Sequence, residues 1–121
     1  MADEDRNTCI LLLDEAGSMA PLHAMLETLG LSVDRASDLA EARTAFFGAG
    51  GHDCLVIGPG VSPGLARKVS NALADIDPSM SFATFGPHLR DTARARTARL
   101  SSYHPGSRAG QGALLRFLQT R

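Results

Sequence analysis

Lysine is almost missing from this sequence: of 12 basic residues, Lys68 alone is not an arginine. Cysteine is scarce too. Cys9 and Cys54 are too few for a disulfide framework or a thiolate metal cluster, and both fall in apolar, strand-like runs, where they read as buried inert thiols. The four histidines (His23, His52, His88 and His104) show no ligand spacing, so no zinc site is expected from a local motif. Long apolar runs are absent as well. The longest aliphatic run, residues 10–13, is far shorter than the roughly 20 residues needed to cross a bilayer. The opening MADEDRNT is acidic, unlike a secretory or transit peptide. These features lead to the expectation of a cytoplasmic protein that does not act at a membrane.

What is present suits one globular domain. The chain has 121 residues, of which 44% are hydrophobic and 21% charged, which argues against disorder. Residues 1–7 are expected to be a flexible N-terminus and residues 8–121 a single domain. The net charge of −1 conceals an asymmetry: residues 1–85 hold 12 acids and 5 bases, whereas residues 86–121 hold seven arginines and one acid, Asp91. A basic end on a neutral chain suggests a localised anionic partner rather than general affinity for polyanions, and DNA is disfavoured.

Along the chain, apolar runs alternate with helical patterns. Residues 8–13 (TCILLL) form a short continuous run that suits a strand buried on both faces of a parallel sheet. Ser18 and Pro21 are expected to open a helix that carries Leu22, Met25, Leu26 and Leu29 on one face and stops at Gly30. Leu31, Ser32 and Val33 read as a second strand. Asp38 with Glu41 has capping-box spacing and predicts a helix to about Phe47. Cys54, Leu55, Val56 and Ile57 read as a third strand. Ser62-Pro63 starts a helix that ends at Asp77-Pro78. A fourth strand is expected at 80–85, a helix over the arginine-rich residues 88–99, a weak fifth strand at 100–103 and a last helix at 107–118. Five alternations of this kind specify an α/β sandwich around a parallel sheet. In such sheets the functional crevice lies at the carboxyl ends of the strands. Asp14, Glu15, Gly58, Phe85, Gly86 and His104 are expected around that rim.

These residues make the chain resemble the receiver domain of bacterial response regulators. The resemblance spans about residues 8–118 and rests on ILLLDE, on DCLVIG-PG and on YHP. It implies a flavodoxin-like, three-layer sandwich with five parallel strands in the order 2-1-3-4-5 and five helices. In that family two acids after the first strand hold magnesium, an aspartate ending the third is phosphorylated, the fourth ends in Ser or Thr, and the fifth in Lys-Pro. Asp14 and Glu15 match the acid pair, while Gly58 falls at the phosphorylated aspartate. His104, followed by Pro105, falls at the lysine, and Thr84 or Gly86 at the Ser/Thr place. Ser101 replaces the aromatic switch residue. Without a carboxylate nucleophile no acyl phosphate can form at residue 58. Magnesium also loses an anionic ligand there. Asp53, about 16 Å of extended chain from the rim, cannot substitute. Asp14 and Glu15 therefore read as solvated strand-end acids and His104 as their hydrogen-bond partner. No metal, cofactor or enzymatic constellation is expected.

The resemblance implies a phosphorylation-independent signalling module, a pseudo-receiver. It would engage a signalling protein (a histidine kinase or an output protein) or a second copy of itself through residues 86–118. An alternative comes from Arg90, Arg94, Arg96, Arg99 and Arg108 with Tyr103. Guanidinium groups pair with phosphate and with the guanine edge and stack on flat bases, which suits cyclic di-GMP. On one regular helix Arg90 and Arg94 lie about 40° apart, with Arg96 and Arg99 roughly opposite, so a single helix cannot present all four to one ligand.

Overall fold

A computed structural model of the chain describes residues 8–15, 17–87 and 97–119. The strands are β1 (Cys9–Leu13), β2 (Ser32–Ala36), β3 (Cys54–Ile57), β4 (Ser81–Thr84) and β5 (Thr97–Arg99). The helices are α1 (Ala20–Thr28), α2 (Leu39–Gly48), α3 (Pro63–Ile76) and α4 (Arg108–Gln119). The strands form one sheet in the order β2-β1-β3-β4-β5, and every neighbouring pair is parallel. The fold is the expected α/β sandwich.

The period-2 geometry of the strands sorts the core into two layers. Leu11, Leu13, Leu55, Ile57 and Phe82 meet Ala42 and Phe46 of α2 and Ala66, Val69 and Leu73 of α3. Ile10, Leu12, Cys54, Val56 and Ala83 meet Leu22 and Leu26 of α1 and Ala113 and Leu114 of α4. β3 and β4 are buried throughout, as is β1 from Ile10 onward, which is why β1 and β3 read as unbroken apolar runs. β2 lies at the sheet's edge, where exposed Asp34 and Arg35 discourage pairing with another strand.

Two details hold connections in place. The Asp53 carboxylate accepts a bond from the backbone N–H of Cys9 at 2.8 Å, tying the start of β3 to β1. The buried ring of His52 lies 2.8 Å through Nε2 from Asp34 Oδ2 and against the ring of Phe46, which anchors the α2–β3 loop to the edge strand.

The helix starts follow the sequence in part. Ser62 Oγ accepts from Leu65 N–H, with Pro63 in the first turn of α3, as its motif requires. Asp38 caps α2 by accepting from Glu41 N–H at 2.8 Å. Glu41, however, does not return the bond to Asp38. Its Oε1 accepts from the N–H and the hydroxyl of Ser37, one residue earlier, at 2.7 and 2.6 Å. At α1 the N-cap is Met19, not Ser18, and its own side chain makes no capping bond. Past the end of that helix Gly30 takes φ +86°, a conformation that favours glycine.

The fifth strand needs correction. It runs over Thr97–Arg99, not 100–103, so a helix cannot extend to residue 99. Ala98 and Leu100 point into the core in strand alternation, and Ser101, Ser102 and Tyr103 form a turn in which Tyr103 N–H donates to Leu100 O. The arginines disguised a short half-buried strand as helix. Four helices stand among the described residues in place of the expected five. The rest of the expected helix, residues 88–96, and the expected flexible segment, residues 1–7, lie outside the described residues.

The paired Ser37 donors hold the Glu41 carboxyl below its ordinary value, the hydroxyl more than the backbone N–H. Above that ordinary value the residue is charged whether the chain is folded or not, and the interaction stabilises fully. As pH falls through the lowered native value the carboxylate protonates and the contribution is lost. A side-chain NMR titration is expected to show Glu41 titrating below a peptide glutamate, and Ser37→Ala is expected to move it back up.

Candidate functional site

Leu13, Ile57 and Thr84 lie side by side across the sheet, which sets Asp14, Gly58 and Phe85 at one level on its carboxyl edge. Thr84 pairs with Arg99, so the next strand contributes Leu100 at this level, not His104. His104 follows four residues later, beyond a turn.

Asp14 is buried, and it is not the solvated acid the sequence suggested. Its Oδ1 accepts from Gly17 N–H at 3.1 Å and from the Ser18 hydroxyl at 3.5 Å, and its Oδ2 from Met19 N–H at 3.1 Å. The carboxylate thus supplies the capping acceptor that Met19 lacks and shapes the loop before α1. Glu15 is exposed.

Gly58 faces a filled space. A Cβ there would stand 3.1 Å from Met19 Cγ and 3.3 Å from the carbonyl oxygen of Leu13. Met19 is fully buried, so its side chain occupies the volume that a residue 58 side chain would enter. Gly86 meets the same strand end from the other side: a Cβ on it would lie 2.5 Å from the Gly58 carbonyl oxygen. Bare backbone is needed at Gly86 for the loops after β3 and β4 to pass, whereas a Cβ at residue 58 would press on Met19.

Thr84 is fully buried and spends its hydroxyl within its own turn. It accepts from Gly86 N–H at 3.0 Å and donates to Pro87 O at 3.1 Å. The Ser101 hydroxyl donates to Gly86 O at 2.7 Å and fastens this turn to the segment after β5. His104 is exposed and does not partner the acid pair. Its Nδ1 accepts from Gly106 N–H at 2.9 Å. Its carbonyl accepts from Ser107 and packs on Gly110, and Ser107 Oγ in turn accepts from Gly110 N–H. His-Pro-Gly-Ser is therefore the capping turn of α4.

Of the arginine set, Arg99 ends β5 and Arg108 begins α4, both exposed, with Tyr103 exposed on the segment between them. Arg90, Arg94 and Arg96 lie outside the described residues. Among the described residues no group of three or more His, Cys, Asp or Glu side chains is arranged to hold a metal ion.

Sequence reasoning missed a cleft of about 270 Å³ beside this rim, at the carboxyl ends of β1 and β2. Asp14, Gly17, Arg35, Ala36, Ser37 and Glu41 line it. Arg35 carried no motif, and Glu41 only its capping-box spacing with Asp38. The only clue was the strand alternation that turns Arg35 away from the α2 side, where Ala36 is buried.

Gly58→Ala is expected to destabilise the fold by about 1–3 kcal/mol through overpacking against Met19. Met19→Ala should cost less in the Gly58→Ala background than on its own, a coupling that urea unfolding of both single variants and the double variant will measure.

No family model matches the chain, and no curated protein matches it. Among solved structures, a crystal structure of a "putative lipoprotein from Peptoclostridium difficile 630 (fragment)" is similar at a TM-score of 0.56 and 13% identity, over 96% of this chain and 100% of that one. Identity that low makes this a likeness of fold alone. Among the described residues no helix is long and apolar enough to cross a membrane.

Proposed function

We propose that this chain is a receiver-like signalling module that works without phosphorylation. It acts in the cytoplasm by docking a signalling protein, a histidine kinase or an output protein, or a second copy of itself, on the face formed by residues 86–118. The observation that carries this reading is the packing at Gly58. In a receiver-type site that position must offer a carboxylate to an incoming phosphoryl group. Here it has no side chain, and the buried Met19 fills the space beside it. A thioether is no nucleophile for phosphate, and the neighbouring Asp14 has both oxygens engaged by the α1 loop. Thr84, with its hydroxyl closed into its own turn, offers no donor to a phosphoryl oxygen.

Binding is what the rim leaves open. Arg99, Tyr103 and Arg108 are exposed, and they give this part of the domain a basic, partly aromatic character. The same three residues favour a second reading, recognition of cyclic di-GMP, since two guanidinium groups and a ring match phosphates and guanine faces.

Acetyl phosphate with Mg²⁺ followed by intact-mass measurement tests the first reading. No phosphoryl adduct is expected, and an adduct mapped to the rim overturns it. Gly58→Asp alone should stay unlabelled, because its carboxylate collides with Met19. Isothermal titration with cyclic di-GMP separates the two readings. Selective binding that is lost in Arg99→Ala and Arg108→Ala moves the assignment to the second, and no heat leaves the protein-docking reading in place.

A further inference from the structure

The cleft between the β1–α1 loop and the start of α2 lies on the opposite side of the rim from the arginine-rich face. It is lined by three charged side chains, and their hydrogen bonds divide them unequally. Asp14 is spent on the α1 loop, with Oδ1 and Oδ2 both accepting backbone N–H groups. Glu41 is half spent: Oε1 takes both Ser37 donors, and no donor among the described residues reaches Oε2. Arg35, exposed on the edge strand, has neither a hydrogen bond nor an acid within ion-pair distance among the described residues. Two exposed charges of opposite sign thus line one cleft without pairing with each other.

We propose that this cleft binds a free α-amino acid, with its carboxylate on the Arg35 guanidinium and its ammonium toward Glu41 Oε2. A guanidinium offers a planar fork that matches a carboxylate with two parallel hydrogen bonds. The two carboxylates on the walls repel a dianion such as phosphate and attract the ammonium of a zwitterion. The size agrees. At about 270 Å³ the cleft falls just below the range of drug-sized pockets and has room for a molecule with a short side chain. The backbone at Gly17 and the hydroxyl of Ser37 complete a polar lining. The site is independent of the docking face, so the module would carry a ligand input separate from its partner surface.

The test is an amide-resolved NMR titration of the full chain with L-alanine, alongside acetate, methylammonium and inorganic phosphate. L-alanine is expected to shift Gly17, Ser37 and Glu41 saturably in the millimolar range, with acetate and methylammonium each binding about tenfold more weakly. Arg35→Ala and Glu41→Gln should each weaken L-alanine about tenfold while the remaining amides stay in place, and Arg43→Ala, on an exposed α2 position outside the cleft, should change nothing. An absent L-alanine shift, an equal response to acetate, tighter binding of phosphate, or an undiminished response in Arg35→Ala overturns the proposal. None of these outcomes bears on whether the rim accepts a phosphoryl group, which acetyl phosphate decides separately.

Discussion

At the carboxyl edge of the sheet the chains leaving β3 and β4 meet backbone to backbone at Gly58 and Gly86. Gly58 lies under Met19 on one side and presents its carbonyl to the bare Cα of Gly86 on the other. The rest of the rim is arranged around this meeting of backbones. With Gly86 held close, Thr84 closes its turn, and Ser101 fastens that turn to the chain leaving β5. With Met19 drawn inward, the loop before α1 needs an acceptor for its exposed N–H groups, and Asp14 supplies it. Burying a carboxylate is costly unless its oxygens are hydrogen-bonded, and here the α1 loop provides the bonds.

The helix starts on this edge follow the same economy. Asp14, Asp38, Ser62 and Ser107 each satisfy backbone donors where a strand gives way to a helix. In an open parallel sheet this is the edge where ligands and catalytic groups collect. Here the chain's own side chains engage many of the polar groups, and exposed charge lies at the periphery. Arg35 and Glu41 flank one end of the rim, and Arg99 and Arg108 the other.

The strands were legible where burial on both faces demands an unbroken apolar run, as in Cys54, Leu55, Val56 and Ile57. The caps of α2 and α3 were legible because Asp38 and Ser62 act on N–H groups three residues away. The fifth strand was not, since three residues between arginines carry too little periodicity to outweigh a helical reading. With that strand ending at Arg99, the His-Pro pair became the capping turn of α4 instead of the strand's end.

The sequence by itself determined the alternation of strand and helix, the apolar face of α1 and α3 and the absence of a side chain at residue 58, because each depends on local pattern or on residue identity. Only the tertiary structure decided that Met19 fills the space beside Gly58, that Asp14 turns inward to the α1 loop, and that Arg35 and Glu41 line one cleft without touching. Those outcomes depend on how the loops after β1, β2 and β3 pack against one another once the sheet has brought its strands into register. No periodicity within a segment encodes a distance between segments.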